Sequence, residues 1–417
     1  MNKQDYKIHI VGAGISGLIA AQVLENHGYH PVVIEATDRA GGRVKTDLVN
    51  GYQLDQGFQV LLTSYPAAQK YLDFESLDLQ LILPGASIFK NSTQKIIGDP
   101  LKKISLLLPT LLSGIGSFSD KLKILKLNNK LKKKTLSEIF ADKEQSTLAY
   151  LKDFGFSNEI IKDFFKPFFS GIFLESKLET SSRMFEFIYK MFGEGYAALP
   201  KAGMESIPKQ LSQNLKHTLF KFNTKVTAIK DKEITLEDNT KLESHFTIIA
   251  TDAHQLLANL KNQSTEWKSC DTLYFESKDR IIKKQLIGLI PNEGALINNI
   301  FYHTSLATAS SPEKELLSAT VIDNQNLDNE TLIERVKGEL KAYCGIADCT
   351  FIKHYKIPRA LPNLTNVQNE MLPSETRLTT SVFLAGDTQL NGSLNAAMIS
   401  GERAALGLIE NMSTIRS

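Results

Sequence analysis

The residues best suited to chemistry stand near the amino terminus. Gly12, Gly14 and Gly17 are spaced G-x-G-x-x-G, with Ala13, Ile15 and Ser16 between them. Glu35-Ala36 follows about 20 residues on. Glycine at the first position permits a tight turn. At the second it removes any side chain that would hold a diphosphate off the backbone, and at the third it lets a helix pack closely on a strand. A helix that starts here offers unpaired N–H groups and the positive end of its dipole to the same diphosphate. A carboxylate such as that of Glu35 binds ribose hydroxyls. Gly41-Gly42-Arg43 then brings the chain back with an Arg suited to paired phosphate contacts. Near the other terminus Asp387 follows Gly386, and Ser393-Leu394 opens a helical stretch. The chemistry these residues serve is the binding of a dinucleotide. Reactive side chains are scarcer. His354-Tyr355-Lys356-Ile357-Pro358-Arg359 is the densest run of groups that could face a bound cofactor, and Tyr355 and Arg359 are its candidates for catalysis. Each, taken singly, has an ordinary structural role as the alternative. Residues 268–370 offer no paired carboxylates and no nucleophile–base arrangement, and the sequence has no Cys/His set at metal-ligand spacing, so no metal is expected.

These residues need a particular frame. Ile8, Ile10 and Val11 form a short apolar run, as a buried strand does. Leu18, Ala21, Val23 and Leu24 recur at helical spacing, and residues 31–34 are a second apolar run that ends at Glu35. In that strand–turn–helix–strand order the glycine spacing counts as evidence for dinucleotide binding. Residues 52–62 place Asp55, Gly57 and Phe58 in a turn between apolar stretches. Strand signals recur at 225–229, 233–236, 247–250 and 383–385, and a helix is expected over 394–408. At 417 residues the chain exceeds one compact core, and two domains are expected. A formal net charge of +2 gives no bulk affinity for nucleic acid. Cys270, Cys344 and Cys349 make no C-x-x-C pair. The sequence starts with no apolar core of signal type, and no run reaches transmembrane length. A reducing cytoplasm is the expected compartment.

The middle of the chain changes character. Residues 101–134 set Lys102, Lys103, Lys121, Lys123, Lys126, Lys130, Lys132, Lys133 and Lys134 against one acid, Asp120. Leu101, Ile104, Leu106, Leu107, Leu108, Leu111, Leu112, Ile115 and Phe118 lie among them. An apolar, lysine-flanked helical stretch can lie in a membrane interface as a peripheral contact. Two core helices with a solvated lysine face are the plainer alternative. Residues 158–192 are dense in aromatics, with a helix break expected at Pro167. Such a layer either fills a core or walls an elongated apolar pocket. Residues 268–370 read as strands with one helix over 330–343.

With these motifs in order, the chain resembles the FAD-dependent superfamily of amine oxidases, protoporphyrinogen oxidases and phytoene desaturases. The resemblance rests on the glycine turn with Glu35 and Gly41-Gly42-Arg43, on 199–251 with its P-x-x-G-M segment, and on 383–405. It implies an α/β Rossmann-like FAD-binding domain, discontinuous over 1–78, 197–265 and 375–417. A substrate domain of mixed helix and sheet would occupy 79–196 and 266–374. FAD is the implied cofactor, extended and not covalently bound. Gly12, Ala13, Gly14, Ile15, Ser16, Gly17, Glu35, Ala36, Gly41, Gly42 and Arg43 would surround its ribose and diphosphate. Gly57 and Phe58 would neighbour the flavin ring, Val226 would meet the adenine–ribose half through its backbone, and Asp387 would lie at the ribityl chain or diphosphate. Ser393 and Leu394 would offer N–H groups to the pyrimidine edge, where a preset helix N-terminus stabilises negative charge on the reduced ring.

The departures fall on the substrate side. Amine oxidases of this superfamily present an aromatic cage near the flavin. Here Trp267 is the single Trp, and no aromatic occupies 390–397. The apolar helical layer and residues 355–362 look more like the phytoene desaturase and protoporphyrinogen oxidase branches. The expectation is an oxidoreductase that dehydrogenates a small apolar substrate, isoprenoid- or carotenoid-like, by hydride transfer to flavin, with oxygen or a quinone as electron acceptor. Amine or amino-acid oxidation and porphyrinogen oxidation are the alternatives, and flavin binding without catalysis is the last.

Overall fold

The structure is a computed structural model that describes residues 2–90, 93–260, 263–310 and 312–416. Residues 1, 91–92, 261–262, 311 and 417, which the expected domain segments include, lie outside the described residues. The principal helices are α1 (Ile15–Asn26), α2 (Leu107–Leu112), α3 (Phe118–Lys133), α4 (Lys166–Phe173), α5 (Ser182–Glu194), α6 (Asn329–Cys344) and α7 (Leu394–Arg416).

Every residue of the Ile8–Val11 strand is buried. Burial of all four, His9 included with its ring against Ser244 Oγ at 2.9 Å, means that both faces are covered, as in the strands of parallel sheets. The strand accordingly lies at the centre of a five-stranded parallel sheet. The order is Leu219–Lys221, Val32–Ile34, Ile8–Val11, Phe246–Ile249, Val382–Leu384. The sheet thus draws on the start, the middle and the end of the chain. α1 packs against α7, and the crossing is close because of Gly401: a Cβ there would stand 2.2 Å from the Ser16 carbonyl oxygen.

A second sheet has seven strands, in the order Cys349–Pro362, Trp267–Ser277, Glu315–Val321, Ile297–Tyr302, Ile287–Leu289, Gly85–Lys90, Thr93–Gly98. All its pairs are antiparallel except Ile287–Leu289 with Gly85–Lys90. Alternation along the strands gives it two unlike faces. One carries Leu273, Phe275, Ile300, Leu317 and Ala319 into a core with Leu332, Val336 and Leu340 of α6. The other carries Cys270, Thr272, Thr320, Asn299 and Tyr355.

Near that second face, α4 and α5 build an aromatic layer. Phe165, Phe169, Phe173, Phe185 and Phe187 are fully buried, with the Phe169 and Phe185 ring centroids 4.7 Å apart. The break expected at Pro167 is absent. A π-helical turn over Ile161–Phe165 runs straight into α4, and Pro167 sits in the first turn of α4. The lysine run is also less uniform than its sequence. Lys130 and Lys134 both reach the buried Glu186 of α5, at 2.9 Å each. Lys102 donates to the carbonyls of Phe192 and Gly195, and Lys123 to that of Gly155. These cations staple helices together.

Candidate cofactor and substrate site

A cavity of about 1380 Å³ is lined from both sheets and from α2 to α5. At its parallel-sheet end lie Gly12, Gly14, Ile15, Ser16, Glu35, Gly41, Gly42 and Arg43. The glycines there do two different jobs. Gly12 has φ +107°, and a Cβ on Gly17 would stand 2.0 Å from the Gly12 carbonyl oxygen, so both serve the packing of turn on helix. Gly14 has an ordinary φ of −72°. A Cβ there would meet nothing within 4 Å, because the space beside it is open cavity. Gly14 is also the N-cap of α1 and carries no capping side chain, so the first-turn N–H groups are left for a ligand.

The charged groups around this end are held in place. Glu35 Oε2 accepts from the Ala13 N–H at 2.8 Å, and Oε1 accepts from the N–H and hydroxyl of Thr37 at 2.9 Å each. Its remaining lone pairs suit two hydroxyls. Arg43 Nη2 meets Asp387 Oδ1 at 2.5 Å, Nη1 donates to the Ala360 carbonyl at 3.2 Å, and the guanidinium lies 5.1 Å from the Trp267 ring centroid. Open glycine backbone, an uncapped helix end and one fixed guanidinium fit an extended dinucleotide diphosphate.

Further along, Gly57 has φ +105°, and a Cβ on it would stand 2.8 Å from Ile357 Cδ1. Phe58 rests on Phe301 with ring centroids 5.1 Å apart. Both line the cavity, as do Ser393 and Leu394 at the start of α7. The Ser393 N–H donates to Asn391 Oδ1 at 3.3 Å, so Leu394 is the member of the pair whose N–H lies outside that contact. Ala13, Gly17, Ala36 and Val226 do not line the cavity. Val226 pairs with Leu236 and packs among Val11, Ile34 and Ile249.

Tyr355 and Arg359 line the cavity with their polar ends committed elsewhere. The Tyr355 hydroxyl donates to Asp47 Oδ2 at 2.8 Å, and burial, then that carboxylate, push the phenol up. Arg359 Nη1 donates to Asp252 Oδ2 at 2.7 Å, and Asp252 also pairs with His254 at 2.9 Å. Burial pushes the Cys270 thiol up to about 12, which leaves it un-ionised at the cavity wall. Sequence reasoning missed Asp252, Trp267, Asn299 and Thr320 as lining residues. Asp252 lies just past the strand expected over 247–250, the one local signal among them.

The substrate-side walls are unlike the cofactor end. Phe164, Phe168, Phe169, Ile172, Tyr189 and Phe192 form one wall, and Cys270, Asn299, Thr320 and Tyr355 lie on the sheet. At the mouth, Leu107, Leu111, Phe118, Leu122 and Leu125 line the cavity and are exposed as well, Phe118 by 70%.

The model of the flavin-containing amine oxidoreductases matches residues 15–409. An L-amino-acid oxidase of Bothrops moojeni is 43% identical over 77 residues, 18% of this chain and 15% of that protein. Chloroplastic/mitochondrial protoporphyrinogen oxidase 2 of Arabidopsis thaliana is 28% identical over 169 residues, 40% of this chain and 32% of that protein. The matched segments therefore span no more than 32% of the length of these curated relatives. The solved structure of cyclohexylamine oxidase from Brevibacterium oxydans IH-35A has the same fold, with a TM-score of 0.69 at 14% identity over 98% of this chain and 100% of that one. The match takes in α1, the four parallel strands after Ile8–Val11 and most of the closing helix, and the chain belongs to the flavin-containing amine oxidoreductase family.

Proposed function

We propose that this protein is an FAD-dependent oxidoreductase that dehydrogenates an apolar molecule of isoprenoid or carotenoid type. Residues 1–78, 197–265 and 375–417 form the cofactor half, and 79–196 and 266–374 the substrate half. FAD supplies the electron-accepting chemistry when bound, with oxygen or a quinone as final acceptor. Glu35 holds the ribose hydroxyls, and the α1 N-terminus beside Gly14 holds the diphosphate together with Arg43, which Asp387 orients. Gly57 and Phe58 would neighbour the ring, and Leu394 at the N-terminus of α7 would offer its N–H to the ring's edge; all three line the cavity. The substrate half orients the apolar molecule and excludes water.

The observation that carries the reading is the make-up of the walls. The acids that line the cavity are Glu35, Asp252 and Asp387 in the cofactor half, and Asp99 just beyond the Thr93–Gly98 strand. A cation deep among the Phe side chains of α4 and α5 would be stripped of water without a partner. The mouth fits the same reading. Leu101, Ile104, Leu108, Leu112 and Phe118 are exposed, as are Lys103 among them and Lys132 and Lys133 at the far end of α3, a combination suited to resting on an anionic lipid surface. Amine oxidation is the second reading, favoured by the Asp99 carboxylate, whose charge, after burial, helps push up the Tyr189 phenol on the same wall. Anaerobic reduction of the purified holoprotein, followed at the flavin absorbance band, separates the two. Bleaching by isoprenoid or carotenoid micelles is the expected outcome. Bleaching by amines alone overturns the first reading in favour of the second.

A further inference from the structure

Thr272, Thr320 and Asn299 stand on three adjacent strands of the seven-stranded sheet. Thr272 pairs with Thr320, and Thr320 with Asn299. Antiparallel register puts the three side chains in one row on one face, the face that lines the cavity through Asn299 and Thr320. All three are buried, to 0%, 4% and 2% exposure in that order. Their hydrogen-bonding capacity exceeds what the protein fills. Asn299 Nδ2 donates to Thr320 Oγ1 at 3.3 Å, and Asn298 Nδ2 donates to Asn299 Oδ1 at 3.0 Å. Among the described residues, one Asn299 N–H and the Thr320 hydroxyl proton remain to be used, and the Thr272 hydroxyl has no partner. Buried capacity of this kind is costly when left unfilled. The charged residues that line the cavity come neither from α4 and α5 nor from the Ile297–Tyr302 and Glu315–Val321 strands.

We propose that this row is a substrate subsite for one neutral polar group, a hydroxyl or carbonyl, on an otherwise apolar molecule. The inference rests on the function proposed above and sharpens its substrate class. The Asn299 N–H donates to the oxygen of the bound group, and the Thr320 hydroxyl donates to it or accepts from it. The aromatic wall of α4 and α5 covers the hydrocarbon. A charged ammonium or carboxylate is disfavoured at the row, because no charged side chain of α4, α5 or the Ile297–Tyr302 and Glu315–Val321 strands lines the cavity to neutralise it there.

The test is an equilibrium titration of the holoprotein in one detergent, read from the perturbation of the flavin absorbance band. The probes are geranylgeraniol and the same hydrocarbon with the hydroxyl replaced by hydrogen. The alcohol is expected to bind about five- to tenfold more tightly, the worth of one neutral hydrogen bond. Thr320→Val, close to isosteric, and Asn299→Leu should each shrink that preference, and the double variant should erase it. Thermal midpoints establish that the variants are folded. If the double variant does not fold, Thr320→Val alone decides, and an unchanged preference overturns the subsite. Equal binding of the two probes to the wild type also overturns the subsite and leaves the apolar-substrate reading standing. No perturbation by either probe overturns that reading, and the subsite with it.

Discussion

The proposed cofactor half and the proposed substrate half would hold their ligands by different means. Around Gly12, Gly14 and Gly42 the working surface is backbone, and the decisive property is the absence of side chains. Around Phe168, Tyr189, Asn299 and Thr320 the working surface is side chain, contributed by α4, α5 and two strands of the sheet. A backbone surface recognises what all dinucleotides share, a diphosphate and ribose hydroxyls. A side-chain surface recognises shape and one or two polar groups, so it can change its ligand without disturbing the fold. The same difference explains why the family is evident from the first half and the substrate class must be argued from the second.

The sharpest way to break that contrast lies inside the glycine motif. Gly17→Ala should abolish folded, flavin-loaded protein, since its Cβ would stand 2.0 Å from a backbone oxygen that cannot move away. Gly14→Ala should leave the apoprotein as stable as wild type and weaken FAD binding, because its Cβ enters only the open cavity. Soluble yield, thermal midpoint of the apoprotein and flavin content separate the two. Equal damage to the apoprotein from both substitutions would show that Gly14 also serves packing.

A pH profile compares the halves by sign. Burial pushes Asp55, in the cofactor half, up to about 6. The native state then holds the proton more tightly than the unfolded chain, and stability falls as pH rises from about 4 to about 6. Burial pushes His303, in the substrate half, down to about 4, and here stability rises with pH from about 4 to about 6.5 and is lost toward acid. His9 in the parallel sheet, also pushed down to about 4 by burial first, acts with His303. Each term is worth about 3 kcal/mol at full extent. Urea unfolding at pH 4.5 and pH 7.5 should therefore show Asp55→Asn more stable than wild type at the higher pH, with the gain shrinking at the lower. His303→Gln should show the opposite trend. Parallel profiles for the two variants would refute the opposed signs.

Arg43→Ala comes next in size. It removes a charge-assisted phosphate contact and leaves Asp387 buried without its cation. FAD retention should fall by a factor of about ten or more, from a loss of about 1.5–3 kcal/mol. An unchanged ratio of flavin to protein absorbance after gel filtration would remove Arg43 from the cofactor site.

How much of this was legible in the sequence follows from the same contrast. The glycine turn with its flanking strands Ile8–Val11 and Val32–Ile34 could be read because Ile8 to Glu35 is one uninterrupted stretch whose backbone demands are local. Tyr355 and Arg359 could not be placed that way. Their partners, Asp47 and Asp252, lie 308 and 107 residues away. Thr272, Thr320 and Asn299 form a row only once the register of three strands is known, and nothing around any one of them marks it. At Pro167, helix-breaking propensity gave way to a π turn that moved the proline into the first turn of α4.

The lysine run is where the two halves' logic meets the solvent, and its predicted effect per residue is the smallest. Lys130 and Lys134 are tied to Glu186, so charge reversal there should destabilise the helical layer and confound any binding assay. Lys132 and Lys133 are exposed on α3, and Lys103 is exposed ahead of α2. Reversing these three should lower affinity for vesicles containing anionic lipid at an expected cost of about 1 kcal/mol per cation, with the thermal midpoint unchanged. Leu112→Asp and Phe118→Asp, on exposed apolar side chains, should lower it further and also reduce binding to neutral vesicles. Loss of binding only in the charge variants points to an electrostatic surface without insertion. Vesicle flotation that no variant changes removes the lipid-facing mouth and leaves Phe118 and its neighbours as the rim of a cavity open to water.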